Sequence, residues 1–285
     1  MIRSILLALA NGPGDDSAIN NAFWLARKEG SHVHGLAVID ITAFEIPMIG
    51  SPDGFMPSVV PHSFRESQDL MREMNSKCRE RLDHFADQCA ARGISCSTET
   101  RTGIPPDTIS HAGIAHDIIV VSRSGYGLVA DAKETVDSLV APVIRNSVRP
   151  VLVAGTGFSE KSDVRNVLIA YDGSQHAARA LLVAAELGSR PGTHCTLLSV
   201  VPTEDAGPEI IAPAESFLEH HGIAVEKHVE ISTKPSSVFK DYVLSGKVDL
   251  LVMGAYGHSP IREVIFGSTT EQILSNCSIS AILQS

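Results

Sequence analysis

The sequence contains few aromatic residues and little positive charge. Phe, Trp and Tyr make up 5% of its 285 residues, whereas a surface that stacks single-stranded nucleic acid needs aromatic side chains. The formal net charge of -10 at pH 7 disfavours non-specific attraction to DNA, RNA or an anionic membrane. We therefore expect no nucleic-acid partner and no membrane partner, and any bound phosphate must be held by local geometry.

Long apolar runs and ordered cysteine patterns are also missing. No stretch reaches the roughly 18 apolar residues that a membrane-spanning helix needs. The five cysteines contain no C-x-x-C pair, and an odd number does not fit a complete disulfide framework. The short apolar run at the N-terminus is followed by Asp15 and Asp16, where a signal peptide would need its cleavage site. These absences favour a reducing compartment, and we predict a cytoplasmic protein.

One pattern of strands and helices occurs twice along the chain. In each copy, apolar runs of strand length alternate with stretches of helical periodicity, beginning with residues 5–9 and 167–171. Such an order requires parallel sheets with helices on both faces and right-handed crossovers. We therefore predict an α/β fold with two tandem, doubly wound, parallel five-stranded sheets.

This repeat divides the chain into two predicted domains, residues 1–154 and 164–285. Residues 155–163 between them are small, polar and charged, which is typical of a linker. Residues 41–62 interrupt the first copy with a segment rich in Pro, Gly and Ser that also carries apolar side chains. A loop of this composition is expected to cover a site or to form a subunit contact.

The most informative stretch follows the fourth apolar run of the second copy. Gly254, Gly257 and Gly267 precede Ser268 and Thr269, where a helix is predicted to begin. A strand that ends in glycines before a helix N-terminus leaves backbone N–H groups available for an anion such as phosphate. Judged by glycine spacing alone, an ordinary strand–loop–helix connection explains the stretch equally well.

The spacing Gly254-x2-Gly257-x9-Gly267-Ser268 resembles the nucleotide-binding signature of the universal stress protein family. Both copies resemble the domain of that family over nearly the whole chain. The resemblance implies a strand order of 3-2-1-4-5 in each half. It also implies an adenine nucleotide beyond the carboxyl ends of strands 1 and 4.

The resemblance also assigns roles to residues of the second copy. Asp172, at the end of strand 1, would contact the nucleoside, and Val200, at the end of strand 2, would offer its backbone to adenine. The ribose and phosphates would be held by Gly254, Gly257, Gly267, Ser268 and Thr269. Family members often carry a small hydroxyl residue after the first glycine and a basic residue after the second, but this chain has Ala255 and His258. The preference among ATP, ADP and AMP is therefore left open.

The first copy lacks three residues of this signature and keeps two. Aligning the copies sets Ala10 opposite Asp172, Ser122 opposite Gly254 and Asp137 opposite Gly267, whereas Gly125 matches Gly257 and Ser138 matches Ser268. A carboxylate at Asp137 would occupy the helix mouth and repel phosphate, and Ala10 removes the carboxylate at the nucleoside. We predict that residues 1–154 carry a degenerate site that does not bind ATP in the family manner.

Three functions are compatible with these observations. The favoured one is a stress-response regulator that binds ATP or another adenine nucleotide in its C-terminal half. A slow ATPase would additionally need Mg²⁺, a positioned water and a group that stabilises charge. The sequence offers no candidate catalytic residue for this role, so binding is favoured over catalysis.

A nucleotide-independent assembly role is the third function. Residues 278–283 form an apolar fifth strand at a sheet edge, which should be covered, so the halves are expected to dock as a pseudo-dimer within one chain. Whether whole chains form a homodimer is left open. No metal site is predicted, because the spacing of His194, Cys195, His220 and His221 matches no structural zinc site.

Overall fold

Ten β-strands form one continuous sheet in the computed structural model, which describes residues 1–10, 14–44, 62–123, 139–156, 158–159, 161–256, 270, 272–274 and 278–285. The N-terminal half contains β1 (Ser4–Leu9), α1 (Asp15–Glu29), β2 (His32–Asp40), a 3-10 helix (Ile41–Phe44), α2 (His62–Arg92), β3 (Cys96–Gly103), α3 (Pro105–Gly113), β4 (Ile118–Ser122), α4 (Val140–Asn146) and β5 (Val151–Ala154). The C-terminal half contains β6 (Asn166–Ala170), α5 (Gln175–Gly188), β7 (His194–Val201), α6 (Ala206–His220), β8 (Val225–Ile231), α7 (Pro235–Leu244), β9 (Leu250–Gly254) and β10 (Ser280–Gln284).

The strand order is β3-β2-β1-β4-β5-β10-β9-β6-β7-β8. Each half has the predicted order 3-2-1-4-5 with parallel neighbours, so the α/β class is confirmed. The prediction of two separate sheets needs correction, because β5 pairs with β10 in antiparallel fashion and joins the halves. This pairing satisfies backbone groups on two apolar edge strands that would otherwise be exposed.

Side chains on both faces of this sheet are buried against helices. The first strand of each half is almost completely apolar, as expected for a parallel sheet that is covered on both sides. Apolar side chains recur at three- and four-residue steps along α2 and face the core: Met74, Cys78, Leu82 and Phe85 are buried, and Met71 is partly buried. Gly35 of β2 allows this close packing, because a Cβ there would lie 2.8 Å from the Phe85 ring.

A buried polar network crosses the junction between the halves. The backbone N–H of Gly155 donates to Ser280 Oγ (2.9 Å), and Ser280 Oγ donates to Asn21 Oδ1 (2.9 Å). The Asn21 side chain in turn donates to the carbonyl of Ser17 (2.8 Å), and the Ser17 hydroxyl donates to the carbonyl of Gly155. Gly155, the first residue of the predicted linker, is therefore a buried part of the junction.

Arg123 makes a second connection between the halves. It directly follows β4, and its two terminal nitrogens donate to the carbonyls of Leu274 and Ile279, both at 2.7 Å. On the other face of the sheet, the Arg190 guanidinium lies 4.9 Å from the Trp24 ring centroid. The two halves are thus held together by side chains as well as by strand pairing.

A row of polar side chains lies along β2, β3 and the residue before β3, at the outer edge of the N-terminal half. Ser97 Oγ lies 2.8 Å from both His32 Nε2 and His34 Nδ1, while Ser95 Oγ contacts His32 Nδ1 and Glu99 contacts His34 Nε2. An ionised carboxylate only accepts hydrogen bonds, so His34 Nε2 carries a proton. The two serine hydroxyls thus join both histidine rings and Glu99 in one hydrogen-bonded row.

Protonation of His116 should weaken the fold at acidic pH. The His116 ring stacks on His34 with centroids 5.4 Å apart, and its Nδ1 contacts Ser4 Oγ at 2.6 Å. Burial, and then the nearby His34 and His32, lower the pKa of His116, against a smaller opposite effect of Asp117. A lowered pKa in the folded state means that this stabilisation is present above the unfolded pKa and is lost as the pH falls through the folded pKa.

We therefore expect His116→Asn to flatten the fall in stability on acidification, because asparagine keeps a hydrogen-bonding group near Ser4 but cannot gain the charge. Urea unfolding of both proteins from about pH 7.5 to about pH 5.5 measures the difference. His111→Asn, at an exposed position of α3, is the matched control and should leave the slope unchanged. Equal slopes for wild type and His116→Asn would contradict the prediction.

Candidate functional site

The order of the strands reverses at β6, which lies between β7 and β9. Ala170, the last residue of β6, pairs with Leu198 of β7 on one side and with Met253 of β9 on the other. The chain leaves β6 through α5 towards β7 and later returns to β9 on the opposite side. In open parallel sheets, the crevice beyond the carboxyl ends of such strands is where ligands bind.

Three of the predicted site residues meet at this edge. Asp172 lies two residues beyond Ala170, Val200 lies two residues beyond Leu198, and Gly254 directly follows Met253. They therefore stand at the carboxyl ends of three adjacent strands. The other four predicted residues, Gly257, Gly267, Ser268 and Thr269, lie outside the described residues.

Asp172 shapes the turn between β6 and α5. Its Oδ1 accepts a hydrogen bond from the backbone N–H of Ser174 at 2.9 Å, and Gly173 between them has a φ of 80°, a conformation that favours glycine. Within the described part of the chain, no hydrogen bond or ion pair engages Asp172 Oδ2. One carboxylate oxygen thus holds the turn, while the other can accept a hydrogen bond from a ligand.

Ser174 connects the turn to the loop after β9. As the N-cap of α5, its side chain accepts the N–H of Ala177 at 3.1 Å, which satisfies one free donor at the helix start. The same hydroxyl lies 3.4 Å from the carbonyl oxygen of Tyr256. The loop after β9 leads into the glycine-rich segment, residues 254–270. The beginning of this segment is therefore held against the N-terminus of α5.

Gly254 is required by packing as well as by any ligand. A Cβ at this position would lie 2.6 Å from the backbone nitrogen of Ala177 and 2.8 Å from the carbonyl carbon of His176. Backbone atoms cannot rotate out of the way, so glycine allows α5 to pass directly over the end of β9. The family resemblance explains Gly254 by contact with the ribose and phosphates of a nucleotide. The close contact with α5 is a second reason for glycine at this position.

Two described residues fix the ends of the glycine-rich segment. Thr270 is buried, and its hydroxyl donates to the carbonyl of Ala255 at 3.1 Å. The backbone N–H of Ala255 donates to the carbonyl of Gln284 in β10 at 2.8 Å, so this amide is used by the protein itself. The amide of Ala255 is therefore not available to a ligand.

His176 and Tyr256 form an aromatic pair beside Gly254 that the sequence did not point to. Their ring centroids are 5.4 Å apart in an edge-to-face arrangement. His176 Nδ1 is buried and has no hydrogen-bond partner among the described residues. The pair becomes recognisable only after folding, because α5 and the loop after β9 are far apart in sequence.

The corresponding edge of the N-terminal half is occupied by the protein itself. The backbone N–H of Ala10, which directly follows β1, donates to Asp15 Oδ1 at 3.0 Å. Asp15 has no exposed surface, and Arg81 of α2 donates to Asp15 Oδ2 through Nε at 2.7 Å and through a terminal nitrogen. Ser122, the counterpart of Gly254, is followed by Arg123, which is engaged with the C-terminal half. Asp137 lies outside the described residues.

Neither a metal cluster nor a membrane span can be recognised in the described ranges. No group of three or more His, Cys, Asp or Glu side chains there is arranged to hold a metal ion. The helices found there are all too short or too polar to cross a bilayer.

The fold defines the chain as a duplicated, doubly wound α/β protein in which three of the predicted site residues meet at the strand-order reversal of the C-terminal half. Residues 163–283 match the family model described as the universal stress protein family. A universal stress protein from Synechocystis sp. is 25% identical over 296 residues, which cover 99% of both chains. The crystal structure of a universal stress protein from Archaeoglobus fulgidus superposes with a TM-score of 0.74 and 21% identity, covering 99% of this chain and 96% of its own.

Residues 163–283 therefore belong to the universal stress protein family, as the glycine spacing in that half predicts, and the chain as a whole is similar to universal stress proteins. The Synechocystis relative aligns with both halves. A shorter universal stress protein, solved in complex with cAMP, covers 44% of this chain and 98% of its own, with 19% identity and a TM-score of 0.38.

Proposed function

We propose that this protein is a cytoplasmic regulator of the stress response that binds an adenine nucleotide, ATP in the first instance, in its C-terminal half. The proposal assigns residues 164–285 as the binding domain, residues 1–154 as a degenerate domain and residues 155–163 as the connection. The observation that carries it is the meeting of Asp172, Val200 and Gly254 at the strand-order reversal. Membership of the family supports the ligand class.

Each residue has a defined task in the proposed complex. Asp172 Oδ2 accepts a hydrogen bond from the nucleoside, while Oδ1 keeps the turn in place. The backbone of Val200 contacts adenine from the end of β7. Gly257, Gly267, Ser268 and Thr269 provide main-chain donors to the phosphates, together with the opening of the helix that the sequence predicts there. A chain with a net charge of -10 needs such local donors, because its overall field repels a polyanion.

The N-terminal half is proposed not to bind nucleotide. The amide at the end of β1 is already bonded to Asp15, whose carboxylate is paired with Arg81. A nucleoside arriving there would find this amide and this carboxylate already engaged by the protein. This reason is independent of Asp137, which the comparison of the two copies gives, together with Ala10, as a reason for the loss of nucleotide binding.

Nucleotide should raise the melting temperature of the wild-type protein but not that of Gly267→Asp. At a hundredfold excess over its dissociation constant, a ligand adds about 2.7 kcal/mol, and we expect a shift of about 4–5 °C for a chain of this size. Thermal shift measurements with ATP, ADP and AMP test the expectation and establish the preferred nucleotide.

Gly246→Asp is the matched control for the added carboxylate, because its Cβ would meet no atom within 4 Å and it lies after α7. Aspartate tolerates the left-handed conformation of this position better than most residues. This control should keep the nucleotide shift. If Gly267→Asp kept the shift too, or if wild type showed none with any of the three nucleotides, the proposed site would be wrong.

The fate of the bound nucleotide distinguishes the proposed binding protein from a slow ATPase. Incubating the protein with ATP and Mg²⁺ and analysing the products by chromatography distinguishes a binding protein, which returns ATP, from a slow hydrolase, which returns ADP. An assembly role without nucleotide would leave the melting temperature unchanged in every thermal shift above.

A further inference from the structure

Two thiols meet where α2 turns into β3. Cys89 lies in the last turns of α2 and is completely buried, whereas Cys96, the first residue of β3, is partly exposed. The backbone N–H of Ile94 donates to the carbonyl of Cys89 at 3.0 Å, and Gly93 reverses the chain with a φ of 65°. Both sulfur-bearing side chains pack into the same core cluster, where they share a hydrogen bond.

The internal repeat contains the same turn in both halves. In the C-terminal half, Ile223 donates to the carbonyl of Leu218 at 2.9 Å and Gly222 has a φ of 74°, so this turn matches the first. Leu218 therefore corresponds to Cys89 and Val225 to Cys96, and both pack on the shared cluster. Where one half has two aliphatic side chains at these positions, the other has two thiols.

The surroundings of the pair determine which thiol reacts first. Burial, and then the hydrogen bond with Cys96, raises the pKa of the Cys89 thiol to about 12, so Cys89 is a poor first nucleophile. Cys96 can be reached from solvent. The Arg92 guanidinium, which lies over the Phe23 ring, has only a smaller, opposite effect on the pKa of Cys89.

We propose that Cys89 and Cys96 form a peroxide-sensitive dithiol that closes to an intramolecular disulfide. The Cys96 thiolate attacks one oxygen of the hydroperoxide, a sulfur–oxygen bond forms, the oxygen–oxygen bond breaks, and the leaving oxygen takes a proton. The sulfur of Cys89 then attacks the sulfenic acid on Cys96. Cys89 gives up its proton, a sulfur–sulfur bond forms, and the second oxygen leaves as water. Two thiols are oxidised and one peroxide is reduced.

Closure would link α2 covalently to the edge strand of the half that is proposed not to bind nucleotide. β3 lies at one end of the ten-stranded sheet, where it pairs with β2. The inference does not depend on nucleotide binding, since it rests on the geometry of the turn alone.

Thiol counting on the full chain tests the proposal. The reduced protein should show five thiols after denaturation, and treatment with hydrogen peroxide should remove two of them and lower the mass by about 2 Da. Peptide mapping should place the disulfide between Cys89 and Cys96. Loss of no thiols, a stable sulfinic acid at Cys96, or a disulfide that includes Cys78, Cys195 or Cys277 would overturn it.

Variants separate the two steps of closure. Cys89→Ser should stop the reaction at a sulfenic acid on Cys96, which dimedone traps, and Cys96→Ser should lose no pair of thiols. Cys195→Ser, which removes a buried thiol of the other half, should still lose two. The double variant Cys89→Leu with Cys96→Val copies the C-terminal half and tests whether the thiols are replaceable for folding. If it folds like wild type and keeps its three thiols under peroxide, the assignment stands; if it folds but loses two, another pair is responsible.

Discussion

Replacing Arg81 by alanine should destabilise the protein by about 3 kcal/mol, because it leaves a buried carboxylate without its charged partner. Asp15 has no exposed surface, and Arg81 is the cation that donates to its Oδ2. Arg81 keeps 26% of its side chain exposed, so water replaces part of the lost interaction and the cost belongs at the lower end of the range for broken buried pairs. Urea unfolding at neutral pH measures the change.

Arg72→Ala is the matched control, since it removes an arginine from the same helix. Arg72 pairs with Asp69 at 3.1 Å, but 76% of its side chain is exposed, and a surface pair of this kind contributes at most about 1 kcal/mol. The double variant Asp15→Ala with Arg81→Ala should recover part of the loss, because no charge is left buried. Equal effects of Arg81→Ala and Arg72→Ala would show that Asp15 does not depend on its partner.

The strands and their order follow from the sequence, whereas this ion pair does not. Continuous apolar runs predict buried parallel strands, and the three- and four-residue steps along α2 predict which of its residues are core. Asp15 and Arg81, however, are far apart in sequence and obey no spacing rule. From the sequence alone, Asp15 is only an acidic residue after an apolar run, and its burial becomes visible once α2 packs on α1.

The join between the halves is a similar case. The apolar edge at residues 278–283 predicts that the edge must be covered, and the structure confirms that the other half covers it. The sequence does not show that the cover is one antiparallel strand pair, because neither strand carries a register signal of its own. The register is fixed by surrounding contacts such as those of Gly155 and Arg123.

At the candidate site, the sequence identifies residues through family spacing and the structure supplies their geometry. Asp172, Val200 and Gly254 were predicted to share an edge, and the strand register brings them there. Their roles towards a nucleotide remain proposals. His176 was not predicted, because its position depends on how closely α5 crosses Gly254, which no periodicity encodes.

Gly155→Ala should separate the two halves at their junction. An added Cβ would lie 2.2 Å from the carbonyl oxygen of Ser278, 2.5 Å from the carbonyl carbon of Ile279 and 2.6 Å from the nitrogen of Ser280. All three are backbone atoms, so the segment before β10 must move as a unit. That movement also strains the hydrogen bonds from Gly155 to Ser280 and from Arg123 to Ile279.

We expect Gly155→Ala to cost about 3 kcal/mol, at the upper end of the usual range for overpacking, because backbone rather than side-chain atoms must yield. Gly103→Ala is the matched control: its Cβ would meet Thr108 Oγ1 at 2.5 Å, but that hydroxyl can rotate away, so the cost should stay below about 1 kcal/mol. Urea unfolding gives both values, and limited proteolysis reports whether residues around 155 become accessible. A junction that tolerates alanine as well as position 103 does would mean that the backbone of residues 278–280 is not held against Gly155. Strand pairing between β5 and β10 would then hold the halves together without this contact.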